Sequence, residues 1–325
     1  MRQVKWLLVG TGDIVHKRVA DALAGAADSC VVGVCGSSME RVGPLADKVG
    51  APERYDDLGR ALVDTAAEAV YLARPVEFHA GETIASLRAG KHVLVEKPLA
   101  RTGAEADEIV AAAMGTGRIV GCAYYRRCSP RFAHARRILL EGKLGKIVLI
   151  RMAYVAWFNP ALDDPKRWRV DPARSGGGPV ADIGSHMFDV LIGLFGMPEH
   201  VVGQAATLVN DYAAEDTATV LMRFNGGIQA TASFGWSSKT WTQEMEIIGS
   251  EGKLTWRPYD TGKVLLTIGR ETQELDLPPA ANVHQPLVED FVRAIQENRP
   301  PVCPAVEAAR TNRLLERVYG RGQHE

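Results

Sequence analysis

From Val4 to Cys122 the chain alternates short apolar runs, rich in β-branched residues, with Ala-rich stretches whose apolar residues recur at helical spacing. Short apolar runs of this kind suit strands buried on both faces, and an amphipathic helix between two of them is what a parallel crossover needs. The runs Val4–Val9, Val31–Cys35, Ala69–Leu72, His92–Val95 and Arg118–Cys122 predict strands; Asp13–Ala26, Met39–Val49, Val76–Ala89 and Thr102–Met114 predict the covering helices. Gly50 and Gly90 stand where helix C-caps belong. The fold class that follows is α/β, with a doubly wound parallel sheet over residues 1–122.

Beyond Cys122 the texture changes. A helix over Pro130–Glu141 ends at Gly142, and Ile147–Trp157, Val201–Val209, Thr217–Phe224, Ile228–Phe234 and Glu244–Ile248 then succeed one another as strands. Strands joined by turns as short as Asn225-Gly226-Gly227 pair antiparallel, so residues 123–325 predict an α+β domain with a large, open, mainly antiparallel sheet. A helix near Val180–Phe195 interrupts the strands. Two more, Pro286–Asn298 and Ala305–Tyr319, close the chain and are free to pack back on the first domain. A length of 325 residues suits two cores better than one.

With 38 Lys and Arg against 39 Asp and Glu, the net charge of -1 supplies no summed field for a polyanion, which argues against nucleic acid and against an anionic membrane. No apolar run approaches the ~18 residues of a membrane span. Cys30, Cys35, Cys122, Cys128 and Cys303 are odd in number and hold no Cys-x-x-Cys pair, a pattern of reduced thiols. The opening MRQVKWLLVGTGD shows neither an h-region nor a cleavage site, and the expectation is a cytoplasmic protein.

The first strand runs into Gly10-Thr11-Gly12-Asp13-Ile14-Val15 and then a helix, the setting in which a dinucleotide pyrophosphate meets backbone N–H groups and a helix dipole. Val15 stands where the strict fingerprint has a small third residue. The second strand ends in Cys35-Gly36-Ser37-Ser38, with no carboxylate for ribose hydroxyls, while Ser37, Ser38 and Arg41 are able to donate to a 2′-phosphate. The expected cofactor is therefore NADP before NAD. The alternative is that Arg41 is a solvated helix residue and the ribose of either cofactor is held by backbone and hydroxyl groups.

The strand His92–Val95 leads into Glu96-Lys97-Pro98, and carboxyl ends of parallel strands face the ligand crevice, so Lys97 is a candidate donor to a substrate oxygen. In the second domain a glycine loop from Ser175 to Gly178 enters a helix carrying Asp182, His186 and Asp189 on one face. Such a pair suits proton abstraction from an alcohol, His186 as base and Asp182 orienting its ring; a helix-start ion pair is the plain alternative. No companion Cys or His cluster points to a metal. Tyr124-Tyr125-Arg126-Arg127 and Trp168-Arg169 offer aromatic faces and guanidinium forks to a polyhydroxylated ligand or a phosphate. Trp157, Trp236 and Trp241 are read mostly as residues that pack in the sheet or at a subunit surface, the alternative being a sugar site. His79 follows the third of these strands at crevice level, whereas His16, His92, His134, His200, His284 and His324 have no local partner pattern.

Taken together, GTGDIVHKRVADAL, YLARPVEFHAGETIASLRAGKHVLVEKPLA, AYYRRCSPRF and WRVDPARSGGGPVADIGSHMFD resemble the glucose-fructose oxidoreductase, inositol dehydrogenase and MocA-like (Gfo/Idh/MocA) family over nearly the whole chain. The resemblance implies a Rossmann domain, an open-faced sheet domain that carries substrate and subunit contacts, and NAD(P)-linked oxidation or reduction of a sugar, cyclitol or related polyol. By it, Lys97 matches the family's active-site lysine, and Asp182 with His186 its Asp-x-x-x-His pair. Gly10, Thr11, Gly12 and Ile14 match the pyrophosphate turn, and Pro75 with His79 the stretch beside the nicotinamide half. Trp168 and Arg169 match a Trp-Arg pair that approaches the cofactor in some members. Expected cofactor contacts also take in Asp13, Ala73, Arg74 and Glu96; expected substrate contacts are Lys97, Tyr125, Arg126, Asp182 and His186. Arg74 departs from the Thr or Asn common before that proline.

The expected reaction moves a hydride between nicotinamide and a secondary alcohol or its carbonyl, with a homodimer or homotetramer formed through the C-terminal sheet. Two other readings stand beside it: a glycoside hydrolase or lyase that oxidises its substrate transiently, and a non-catalytic NADP-sensing paralogue.

Overall fold

The computed structural model describes residues 2–257 and 262–321. A six-stranded sheet is built from β1 (Val4–Val9), β2 (Ser29–Cys35), β3 (Glu53–Tyr55), β4 (Ala69–Leu72), β5 (His92–Val95) and β6 (Val120–Cys122), ordered β3-β2-β1-β4-β5-β6. Every pairing in it is parallel. The order reverses beside β1, so the ends of β1 and β4 flank the point at which a doubly wound sheet binds its ligand. Thr102 caps the helix Gly103–Thr116 by accepting from the Glu105 N–H, and Gly50 and Gly90 take φ of +70° and +78° behind their helices.

The second sheet has eight strands: β7 (Ile147–Trp157), β8 (His200–Ala206), β9 (Thr217–Arg223), β10 (Gln229–Gly235), β11 (Ser237–Gly249), β12 (Gly252–Trp256), β13 (Val264–Ile268) and β14 (Glu271–Leu275), ordered β14-β13-β12-β11-β7-β10-β9-β8. Only β10 with β7 is parallel; the other pairings are antiparallel. On β9, Ala218, Val220 and Met222 enter the core while Thr219, Leu221 and Arg223 point away from it. The core side is covered by the helix Ser185–Phe195, where Phe188 meets Phe234 of β10 edge-on at 5.4 Å. The α/β reading with an open, mainly antiparallel second sheet is thus the observed architecture.

The chain forms two compact units, Met1–Cys128 with Ala280–Ala309, and Ser129–Pro279 with Arg310–Glu325. Residues 123–128 and 280–309 therefore group with the parallel sheet, not with the 123–325 span read from the sequence. The cause is the apolar face of the helix Gln285–Glu297. Its Leu287, Val288, Phe291 and Val292 are buried in one core with Trp6 and Tyr71, and the Phe291 ring stands 5.6 Å from Trp6.

Candidate active site

At the end of β1, the Gly10 N–H donates to Cys35 O at 2.8 Å, with φ at +117°. A Cβ on Gly10 would lie 2.3 Å from Ala73 O, so both backbone conformation and space exclude any other residue. Gly12 differs: a Cβ there would meet nothing within 4 Å. The backbone is open above Gly12, and a helix begins at once, with Val15 N–H donating to Gly12 O at 3.0 Å. Its first amides have no acceptor within the helix, the donor set a pyrophosphate takes. Val15 is fully buried, and a π turn over Val15–Val19 begins where a small residue would let helix and strand close.

Ser37, Ser38 and Arg41 lie just beyond β2. Ser37 and Arg41 are exposed, and Ser38 precedes the helix Met39–Val49 in extended backbone without its hydroxyl capping that helix. Burial, reinforced by Glu82, pushes the Cys35 thiol up to about 12, so it is a neutral packing group at pH 7. Arg74 is engaged within the protein: its guanidinium pairs with Glu82 at 3.4 Å and lies over the Phe78 ring at 4.6 Å.

Beyond β5, Lys97 is half-buried and joined to Pro98 by a cis peptide. His79 bridges the loops behind β4 and β5, with Nδ1 2.8 Å from Pro98 O and Nε2 2.9 Å from Arg74 O. Burial pushes the His79 imidazole below its ordinary value, and the two carbonyls pull it the other way. The preceding carboxylate, Glu96, is buried. Its Oε1 accepts from the Tyr71 hydroxyl at 2.9 Å and faces His284 Nε2 at 3.3 Å, and its Oε2 accepts from the Lys97 N–H at 3.3 Å. Burial opposes its ionisation, yet the His284 hydrogen bond and charge, the Tyr71 hydroxyl and the Lys97 charge outweigh that, holding it below the usual carboxylate value. His284 had no local signal; its ring lies 4.8 Å from that of Tyr125, whose hydroxyl accepts from Arg126 at 3.0 Å.

In the second unit, the loop before the His186 helix is held by a buried carboxylate that sequence reasoning missed. Glu215 accepts from the N–H groups of Gly178 and Val180 at 2.8 and 3.2 Å and from the Tyr319 hydroxyl at 2.7 Å. A Cβ on Gly178 would lie 2.1 Å from Glu215 O, which is why the loop needs glycine there. The chain then winds through a π turn, Val180–Gly184, into the α-helix Ser185–Phe195. Asp182 sits in the π turn, and both its oxygens accept from Arg169 Nη1 at 2.8 Å. Arg169 also lies over the Trp168 ring at 5.2 Å. His186, one turn on, and Asp189, two turns on, are buried. The Trp-Arg pair and the Asp-x-x-x-His pair are thus joined by an ion pair, so Arg169 neutralises the carboxylate read as orienting His186.

Of the tryptophans, Trp236 packs on Phe158 at 4.7 Å, whereas Trp157 and Trp241 are exposed on this chain. Among the described residues, no group of three or more His, Cys, Asp or Glu is arranged to hold a metal, and no helix is long and apolar enough to cross a membrane.

Residues 4–124 match the family model described as an oxidoreductase family with NAD-binding Rossmann fold, and residues 132–255 match the GFO/IDH/MocA C-terminal domain. The chain is 29% identical over 303 residues to 1,5-anhydro-D-fructose reductase of Ensifer adhaerens, covering 91% of this chain and 90% of the relative. It is 27% identical over 263 residues to D-glucoside 3-dehydrogenase of Escherichia coli strain K12, covering 77% and 68%. An oxidoreductase domain protein from Kribbella flavida superposes with a TM-score of 0.89 at 25% identity, over 98% of this chain and 97% of that one. Levoglucosan dehydrogenase in complex with NADH and levoglucosan shares the fold, with a TM-score of 0.88 at 21% identity and coverage of 98% and 96%.

Proposed function

The chain belongs to the Gfo/Idh/MocA oxidoreductase family, and on that premise we propose that it transfers a hydride between NADP and a secondary alcohol, or the corresponding carbonyl, of a sugar, cyclitol or related polyol. The observation that carries this reading is the single edge of the parallel sheet at which Gly10 turns beneath the open backbone of Gly12 and Lys97 follows β5. The sugar class rests on relatives named for 1,5-anhydro-D-fructose and D-glucosides.

When bound, the nicotinamide ring accepts or donates the hydride. The backbone amides at Gly12–Ile14 bind the pyrophosphate. In oxidation, Lys97 donates a hydrogen bond to the substrate oxygen and His186 takes the hydroxyl proton, so charge developing on that oxygen meets a fixed cation. In reduction the same two groups polarise the carbonyl and return the proton. Asp182 orients the His186 ring, and Arg169 balances the charge of that carboxylate. The choice of NADP rests on the tip of β2, where residues 35–38 carry no carboxylate and Ser37, Ser38 and Arg41 can donate to a 2′-phosphate. The exposed face of the second sheet is assigned to a homodimer or homotetramer.

The test is a separate titration with NADPH and NADH, then measurement of reduced-nicotinamide absorbance with 1,5-anhydro-D-fructose, D-glucosides, levoglucosan and inositols. Tighter NADPH binding and stoichiometric absorbance change are expected. Product formed without net absorbance change would replace this reading with transient-oxidation hydrolysis or elimination; tight binding without turnover on any of them would replace it with cofactor sensing.

A further inference from the structure

A buried carboxylate is tolerated when donors satisfy it, and for Glu96 the Tyr71 hydroxyl and the Lys97 N–H already supply one donor to each oxygen. The chain nevertheless brings His284, 188 positions away, onto Oε1. That arrangement is costly: the ring is 1% exposed, and its Nδ1 has no hydrogen-bond partner among the described residues. It is also deliberately anchored. Asn282 donates to Arg18 O at 2.7 Å and accepts from the His284 N–H at 3.0 Å, which fixes the residue that opens the helix Gln285–Glu297. The far side of the imidazole lies along Tyr125, whose hydroxyl also accepts from Arg18 at 3.4 Å. His284 thus joins the Glu96-Lys97-Pro98 stretch to the Tyr124-Tyr125-Arg126 stretch.

We propose that His284 is a positioning residue for Lys97: its Nε2–H holds the Glu96 carboxylate in the orientation in which Oε2 accepts from the Lys97 N–H, fixing the turn that presents the ammonium. The inference rests on the reading of Lys97 as the oxygen-binding group. The titratable groups around Glu96 are Tyr71 from β4, Cys122 from β6, whose thiol is 3.9 Å from Glu96 O, His79 from the helix behind β4, Lys97 and His284 itself. Without His284, burial is opposed at Oε1 by Tyr71 alone. Glu96 then protonates at higher pH, and the carboxyl is free to rotate off the Lys97 N–H.

The experiment compares wild type, His284→Leu, His284→Gln and Lys97→Met by crystallography, by NADPH and NADH titration, and by pH profiles of kcat and KM on 1,5-anhydro-D-fructose and levoglucosan. In His284→Leu the Glu96 carboxyl turns and the Lys97 side chain shifts; a displacement of about 1 Å lowers kcat on the order of a hundredfold. KM and cofactor affinity stay near wild type, and the acid limb of kcat, to which Glu96 protonation now contributes, moves to higher pH. His284→Gln keeps an N–H donor and restores the geometry and most of the turnover. Lys97 unmoved in the His284→Leu crystals overturns the inference. So do equal losses of cofactor affinity and melting temperature with no shift of the acid limb, which would make His284 a packing residue. Lys97→Met with wild-type turnover, or wild type inert on both probes while Lys97 moves as expected, instead overturns the reading of Lys97 and leaves the positioning geometry measured.

Discussion

A methyl group decides what happens at Gly10. The Cβ of a Gly10→Ala variant would stand 2.3 Å from Ala73 O, on a backbone at φ +117°, so the turn must open or the chain behind β4 must move. Either response spoils the amide cradle while leaving the core of β1 intact. Isothermal titration is expected to show loss of NADPH affinity by about tenfold or more, with a folded far-ultraviolet spectrum; unchanged affinity would mean the pyrophosphate binds elsewhere. Lys97→Met separates a different effect, because the aliphatic stem survives and the cation does not. Turnover is expected to fall by about a hundredfold to a thousandfold, the range for removing one donor to a developing oxyanion, with cofactor affinity nearly unchanged. Steady-state kinetics beside the same titration checks both halves, and a Met variant with normal turnover removes Lys97 from the mechanism.

At the scale of elements, loops are held by carboxylates as firmly as strands are held by their ladders. Asp216, fully buried just before β9, accepts from the N–H groups of Leu208, Val209 and Asn210 at 2.8–2.9 Å and from the Thr217 hydroxyl at 3.0 Å. Burial opposes its charge, but these donors outweigh burial and keep its carboxyl below the ordinary aspartate value. A depressed folded value means its stabilisation is complete above the unfolded value, near 3.9 for a free Asp, and is lost as pH falls through the folded one. Asp216→Asn is expected to cost about 2–3 kcal/mol at neutral pH and less in strong acid, measured by urea unfolding across that window; an equal cost at every pH would exclude ionisation as the cause. Such clamps leave little trace in sequence. The helices and the strands β1, β2, β4 and β5 were legible because apolar period reports burial directly. β3, Glu-Arg-Tyr, was not: it is a short edge strand whose Glu53 accepts from Thr65 at 2.5 Å and Ala66 at 3.2 Å. β14, Glu-Thr-Gln-Glu-Leu, is similarly polar and lies at the sheet edge. In the candidate site, Lys97, His186 and the glycine turn stand in local motifs. His284 and Glu215 act across 188 and 37 positions, where no periodicity connects donor to acceptor.

For the molecule as a whole, the second sheet poses a solvation problem that its own helices do not resolve. Its inner face is a core, but on the outer face Leu221 of β9 stands opposite Val202 of β8 in register, 53% and 61% exposed. Thr219 and Arg223 lie two residues to either side on the same strand, Arg223 paired with Glu199 at 3.6 Å, and Thr231 of β10 stands opposite Leu221. Two adjacent exposed branched side chains, flanked by threonines and a paired arginine, are the kind of surface that a self-complementary interface covers. The net charge of -1 offers little repulsion between copies. Each buried leucine or valine would contribute about 1.5–3 kcal/mol, so a single charge placed there should break the assembly without disturbing the core on the opposite face. Leu221→Glu is therefore expected to reduce the particle mass measured by light scattering from a dimer or tetramer to a monomer, with the melting transition retained. A wild-type monomer, or a Glu variant with undiminished mass, would mean that this face remains in water.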